Sequence, residues 1–149
     1  MPDNFIHPSA DVDDTAKVWH YAVVMDLVRI GPGCSIGSRA EIGRGTTIGE
    51  GSRISSGVFL PPNSKIGKRV FIGPNTTFTD DRYPRVGNHD YKAEPPIIED
   101  DAAIGAGCVI LPGVRIGARS LIGAGSVVTK DVPPDSILRG DPSAILTAR

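Results

Sequence analysis

Aromatic side chains are scarce in this chain: four Phe, three Tyr and one Trp among 149 residues. Charge of one sign is missing too, since 16 Lys and Arg stand against 17 Asp and Glu for a formal net charge of −1. A chain so balanced has no global field with which to attract nucleic acid or an anionic membrane. No apolar run approaches the roughly 20 residues of a membrane-spanning helix. No amino-terminal stretch reads as a secretory signal either, so the expected location is the cytoplasm. Histidine occurs only at positions 7, 20 and 89. A catalytic zinc set needs three converging ligands, two of them close in sequence, so no metal is expected.

What the chain does have is a beat of six. Ile6, Val12, Val18, Val24, Ile30, Ile36, Ile42, Ile48, Ile54, Leu60, Ile66, Ile72 and Phe78 follow one another at six-residue intervals. The beat resumes at Ile98 and runs through Ile104, Ile110, Ile116, Ile122 and Val128. Neither a helix nor an isolated alternating strand has this period. A parallel β-solenoid does, with three short strands per triangular coil and one inward side chain per strand. Two residues before the aliphatic the side chain is often small, as at Ala16, Ala40, Ser52 and Ala102; one residue after it is often glycine, as at Gly31, Gly49 and Gly105. That glycine is expected to serve a corner, by positive φ or by close approach. Cys34 and Cys108 fall on the small inward position, far apart on the stack, and read as packing thiols rather than a disulfide pair.

Three hexads make an 18-residue coil. Ile6, Val24, Ile42, Leu60 and Phe78 are then expected to stack as one column, with Val12 and Val18 heading the other two. The thin interior of such a prism explains the shortage of aromatics. Between Phe78 and Ile98 the frame slips by two, which marks an insertion expected to contribute part of another coil. One domain is expected: a solenoid over 1–133 carrying an inserted loop at about 79–96, then a cap over 134–149 in which Ile137, Leu138, Ile145 and Leu146 pack on the last coil.

The hexads, taken with Ile122-Gly-Ala-Gly-Ser-Val-Val-Thr-Lys-Asp-Val-Pro133, resemble the hexapeptide-repeat acyltransferases with a left-handed β-helix. The resemblance runs from Ile6 to Ile145. The segment Gly73-Pro-Asn-Thr-Thr-Phe-Thr-Asp-Asp-Arg-Tyr-Pro-Arg85 is similar to the branch that N-acetylates nucleotide-linked amino sugars, and Val18-Trp19-His20-Tyr21 matches a further signature of that branch. Asp80 stands where the branch carries Asn.

The resemblance implies acetyl transfer from acetyl-CoA to the amine of a dTDP- or UDP-linked amino sugar, as in surface polysaccharide biosynthesis. It also implies a homotrimer whose grooves hold both substrates. Such a reaction depends mainly on positioning and on a donor to the tetrahedral oxyanion. Relatives that acetylate hydroxyls carry a His in the inserted loop, where this chain has Arg82-Tyr83-Pro84; that difference favours an amine acceptor. The loop is long and polar, as functional loops often are. Asp81 is the leading catalytic candidate, holding the amine; Asp80 and His89 are further candidates. Turn formation is the other reading of both Asp residues, and solvation that of His89. Arg82 and Arg85 suit a nucleotide diphosphate, unless they are merely solvated. Tyr83, Trp19, His20 and Asn75 complete the acceptor candidates, with packing as the other reading of Trp19 and Tyr83. For coenzyme A the resemblance points to the backbone at Ala106 and Ala124, to Thr129 and Lys130, and to Arg139. Two other readings remain: a sugar O-acetyltransferase, and a solenoid that binds without catalysis.

Overall fold

The computed structural model describes residues 3–148, and the described residues contain no helix. Nineteen two-residue strands, from Phe5–Ile6 to Val127–Val128, each end on one of the predicted aliphatics. They stack in parallel as three faces of a left-handed β-helix of about seven turns. The first face carries the Ile6–Val24–Ile42–Leu60–Phe78 column and continues through Ile110 and Val128. The second carries Val12, Ile30, Ile48, Ile66, Ile98 and Ile116. The third carries Val18, Ile36, Ile54, Ile72, Ile104 and Ile122.

The columns are the core. From Ile36 to Ile122 their members are at most 4% exposed, and each buried branched side chain contributes roughly 1.5–3 kcal/mol. The small position two residues earlier is equally buried, and its polar members are satisfied. Ser52 Oγ donates to Gly67 O at 2.8 Å and Thr76 Oγ1 to Gly105 O at 3.0 Å. The cysteines repeat this bond, Cys34 Sγ donating to Gly49 O and Cys108 Sγ to Gly123 O. Both thiols are free, and burial pushes their pKa values up.

The two reasons offered for corner glycines separate cleanly. The glycine after the aliphatic has ordinary φ, and close approach is what requires it: a Cβ on Gly105 would lie 2.6 Å from Ala124 N of the next coil. Positive φ falls two residues later, at Gly33, Gly107 and Gly125 but also at Arg39, Asn63 and Arg69.

The insertion differs from expectation. Ile66 pairs directly with Ile98, a step of 32 residues where the other steps on the second face take 18. The extra 14 residues therefore add no strand to any face. They form one enlarged corner, residues 79–96, between the first and second faces. A slip of two is what 14 leaves after two whole hexads, which is why the hexad frame suggested part of a coil.

After Pro133 the chain forms an antiparallel hairpin, Ser136–Gly140 with Ser143–Ala148. Its first strand extends the third face, with Leu121 opposite Ile137 and Ile122 opposite Leu138. Leu138 is buried, as expected of the cap. Ile145 and Leu146 are not: they stand 53% and 51% exposed, because the second hairpin strand is an edge strand that pairs only with the first and not with a strand of the coils. Met1, Pro2 and Arg149, which the expected solenoid and cap boundaries include, lie outside the described residues.

Candidate active site

The triangular section sorts the predicted site residues by edge. Corners between the third and first faces include Trp19, His20, Asn75, Ala106 and Ala124; this is the tryptophan edge. Corners between the first and second faces include loop 79–96, and two coils further on, Thr129 and Lys130; this is the loop edge. The whole first face separates the two edges, so one chain does not bring Trp19 or Asn75 to Asp81.

The loop is a fastened structure. Arg82 places its guanidinium on Glu94 through two bonds, Nε to Oε2 at 3.0 Å and Nη2 to Oε1 at 2.8 Å, and donates also to Pro112 O. Glu94 N donates to Asp80 O, and Gly113 N to Glu94 O, so the loop base is stitched to the coil below. The Arg82 guanidinium holds the Glu94 carboxyl below its usual pKa, and Glu94 raises Arg82 in turn. The side chain expected to meet a diphosphate thus holds the loop to the prism. Arg85 has a looser set of partners, Asn88 Oδ1 at 3.2 Å and Asp90 Oδ2 at 3.6 Å, and stays solvated.

The two carboxylates diverge. Asp80 Oδ2 accepts the Tyr91 hydroxyl at 2.6 Å. That bond, then burial and the charges of Asp80 and Asp81, push the Tyr91 pKa up to about 12. Asp81 Oδ1 accepts Tyr83 N at 3.0 Å, the turn role its sequence allowed. Its second oxygen accepts no protein donor among the described residues, which leaves Asp81 able to take a ligand N–H. Tyr83, 77% exposed, projects from the loop, and His89, six residues on, is exposed as well.

On the tryptophan edge, Trp19 Nε1 donates to Ser35 Oγ at 3.3 Å. The His20 ring lies tilted against Tyr21, their centroids 6.4 Å apart. Asn75 takes φ 60°, a left-handed corner value that Asn tolerates. Toward the carboxy-terminal end, the Ala106 and Ala124 N–H groups have no backbone acceptor among the described residues, as amide donors to a ligand require. Arg139 lies against Gly123 on the same edge. Thr129 and Lys130 share a hollow with Leu138, Ser143 and Ile145, so the hairpin roofs the end of the loop edge.

Among the described residues no group of three or more His, Cys, Asp or Glu gathers closely enough to hold a metal ion. None of the described residues forms a helix long and apolar enough to cross a membrane.

Comparison with known proteins bears on this geometry. Residues 45–80 and 95–130 match the family model described as bacterial transferase hexapeptide (six repeats), and residues 27–61 match that of the hexapeptide repeat of succinyl-transferase. The matches break at the inserted loop. A hexapeptide-repeat acetyltransferase of Vibrio cholerae, solved with acetyl coenzyme A, is 35% identical, with 78% of this chain and 70% of that one covered and a TM-score of 0.62. The chain belongs to the hexapeptide-repeat acyltransferases. A 2,3,4,5-tetrahydropyridine-2,6-dicarboxylate N-acetyltransferase of Staphylococcus aureus is 48% identical over 56 residues, which are 38% of this chain and 23% of that protein. The match thus spans about a quarter of that curated relative. A UDP-N-acetylglucosamine acyltransferase of Bacteroides fragilis shares the fold, with a TM-score of 0.68 at 20% identity over 99% of this chain and 74% of that one.

Sequence reasoning missed the outward residues of the third face, taken up below. The hexad marks inward positions, while the residue just before each aliphatic varies freely and stands out only when read in columns.

Proposed function

We propose that this protein transfers the acetyl group of acetyl-CoA to the amine of a nucleotide-linked amino sugar. The observation that carries the reading is the segment from Gly73 to Arg85. Its first half is a regular coil buried to Phe78; its second half leaves the prism at the point where the coil is enlarged and presents Asp81 with one oxygen open. The acetyl-CoA bound by the Vibrio cholerae relative supports the donor.

The chemistry asked of these residues is modest. A neutral amine attacks the thioester carbon, the C–N bond forms, the C–S bond breaks, and coenzyme A leaves as the thiol. The nitrogen's surplus proton passes to the departing sulfur or to water. Asp81 orients the amine by accepting one of its N–H bonds, an entropic contribution. The exposed N–H groups on the tryptophan edge suit the pantetheine amides, and Lys130 and Arg139 suit the phosphates. Asp80, in place of the branch's Asn, keeps the Tyr91 bond through an oxygen that Asn also has, so the exchange adds a charge and preserves the contact.

The acceptor and donor candidates lie on two edges of one prism. Three copies with their first faces toward a common axis bring the loop edge of each against the tryptophan edge of the next. The outward residues of that face are Phe5, Val23, Glu41, Phe59, Thr77, Val109 and Val127, and the five apolar ones among these seven suit burial. The reading therefore takes the active unit to be a trimer with sites between copies.

A second reading has one observation in its favour: the Staphylococcus aureus relative is an N-acetyltransferase of a dicarboxylate. Incubation with acetyl-CoA and each class of amine, with the product weighed by mass spectrometry, separates the two. The first reading expects an acetylated nucleotide sugar and no product from the matching alcohol. Acetylation of the dicarboxylate-type amine alone would replace it with the second.

A further inference from the structure

The third face carries a groove that, Trp19 apart, none of the readings above uses. Its outward residues stack in register: Lys17 over Ser35, Ser35 over Arg53, Arg53 over Phe71. Successive coils are about 4.8 Å apart, so the two cations stand roughly 10 Å from each other along the ladder. Trp19 closes one side, 38% exposed and held by Ser35; Phe71, 40% exposed, lies beyond Arg53. Ser55 and Ser56 add hydroxyls along the tryptophan edge. The hollow measures about 590 Å³ and continues toward Lys17 through a second that shares Trp19, Ser35 and Arg53. Small-molecule sites fall in roughly the 300–1,000 Å³ range.

The charge of this groove is of one sign, and its two cations lack a carboxylate partner, as Arg29, Arg39 and Arg139 also do among the described residues. Six other arginines, at 44, 69, 82, 85, 115 and 119, each pair with a carboxylate. Among the described residues Lys17 and Arg53 pair with none, and no Asp or Glu lines either hollow. Two open cations, hydroxyl donors and two aromatic rings fit a ligand with two linked anionic groups and a flat ring. We propose that this groove binds a nucleoside diphosphate, with the base against Trp19 or Phe71 and the phosphates on Arg53 and Lys17. It thereby supplies the nucleotide subsite of the acceptor, a step that rests on the reading of the acceptor given above. The guanidinium fork matches phosphate geometry, whereas Arg82, bound to Glu94, has no fork to offer.

The chain has a single tryptophan, so its fluorescence reports this groove directly. Titration of the intact protein with UDP, dTDP and GDP is expected to change Trp19 emission saturably for at least one. Arg53→Ala is expected to weaken that ligand roughly 10- to 100-fold, the loss of a charge-assisted contact, with partial recovery in Arg53→Lys. Phe71→Ala is expected to weaken it less. No saturable change with any of the three, or equal affinity in Arg53→Ala, overturns the assignment. So does a change with acetyl-CoA that depends on Arg53, since the groove would then hold the donor's adenosine phosphates. Acetyl transfer in which Arg53→Ala leaves the acceptor KM unmoved removes this inference and spares the function. Arg53-dependent nucleotide binding without any transfer does the reverse.

Discussion

The Tyr91 hydroxyl donates to Asp80 Oδ2 at 2.6 Å, bridging 11 residues of a loop that contains no strand. With the Arg82–Glu94 fork it fixes the shape of the loop beside Asp81. The pair also gives the loop a titration of its own. The Tyr91 pKa is pushed up to about 12, first by its bond to Asp80. The unfolded phenol titrates near 10, so the bond's contribution is whole below about pH 10 and lost as pH rises through about 12. The difference in phenolate absorbance between the parent protein and Tyr91→Phe should therefore rise near pH 12. In Asp80→Asn, where the charge is gone and the acceptor remains, the rise should move toward 10.

The Arg82–Glu94 fork should matter to the loop far more than to the fold, because both side chains are solvated and the prism does not rely on them. Glu94→Gln keeps every tryptic site. Cleavage after Arg85 should accelerate several-fold while the melting temperature hardly moves. A large fall in melting temperature with unchanged cleavage would show that the fork supports the coils instead.

Gly105 and Gly107 occupy one corner for different reasons. A Cβ at 105 meets Ala124 N at 2.6 Å, whereas one at 107, with φ +66°, meets nothing within 4 Å. Gly105→Ala should cost about 3 kcal/mol or more, since backbone of the next coil must move. Gly107→Ala should cost about 1–2 kcal/mol from φ alone. Chemical denaturation of the two variants checks the order.

Cys34 and Cys108 are buried beneath the corners, and burial raises their pKa values. Neither should react with a disulfide reagent in the native state at neutral pH, and both should on unfolding. Prompt native reaction of either would contradict their place in the core.

The fold was legible because a six-residue period fits neither a helix nor an isolated strand, and each of Ile6 through Phe78 could be assigned to a column before its position was known. The insertion misled at Ile98, where a remainder of two hid 14 extra residues inside the same frame. Ile145 and Leu146 misled because apolar composition suggested packing, while a hairpin needs only backbone partners. The candidate site was legible in part. Asp80, Asp81 and Tyr83 were placed by their loop, but the Arg82–Glu94 fork joins residues 12 apart with no pattern to announce it. Arg53 and Phe71 sit on outward positions where the hexad imposes no rule. That Trp19 and Asp81 lie on opposite edges of the first face is a fact of three dimensions, and it is what directs the account to sites between copies.

The central claim is acetyl transfer to a nucleotide-linked amine through the loop. Thiol release from acetyl-CoA, followed with a panel of dTDP-, UDP- and GDP-linked amino sugars, tests it most directly. The account predicts turnover with at least one, reduced about 100-fold or more in kcat/KM by Asp81→Ala at unchanged acetyl-CoA affinity. No thiol release with any amine, or full activity in Asp81→Ala, would contradict it.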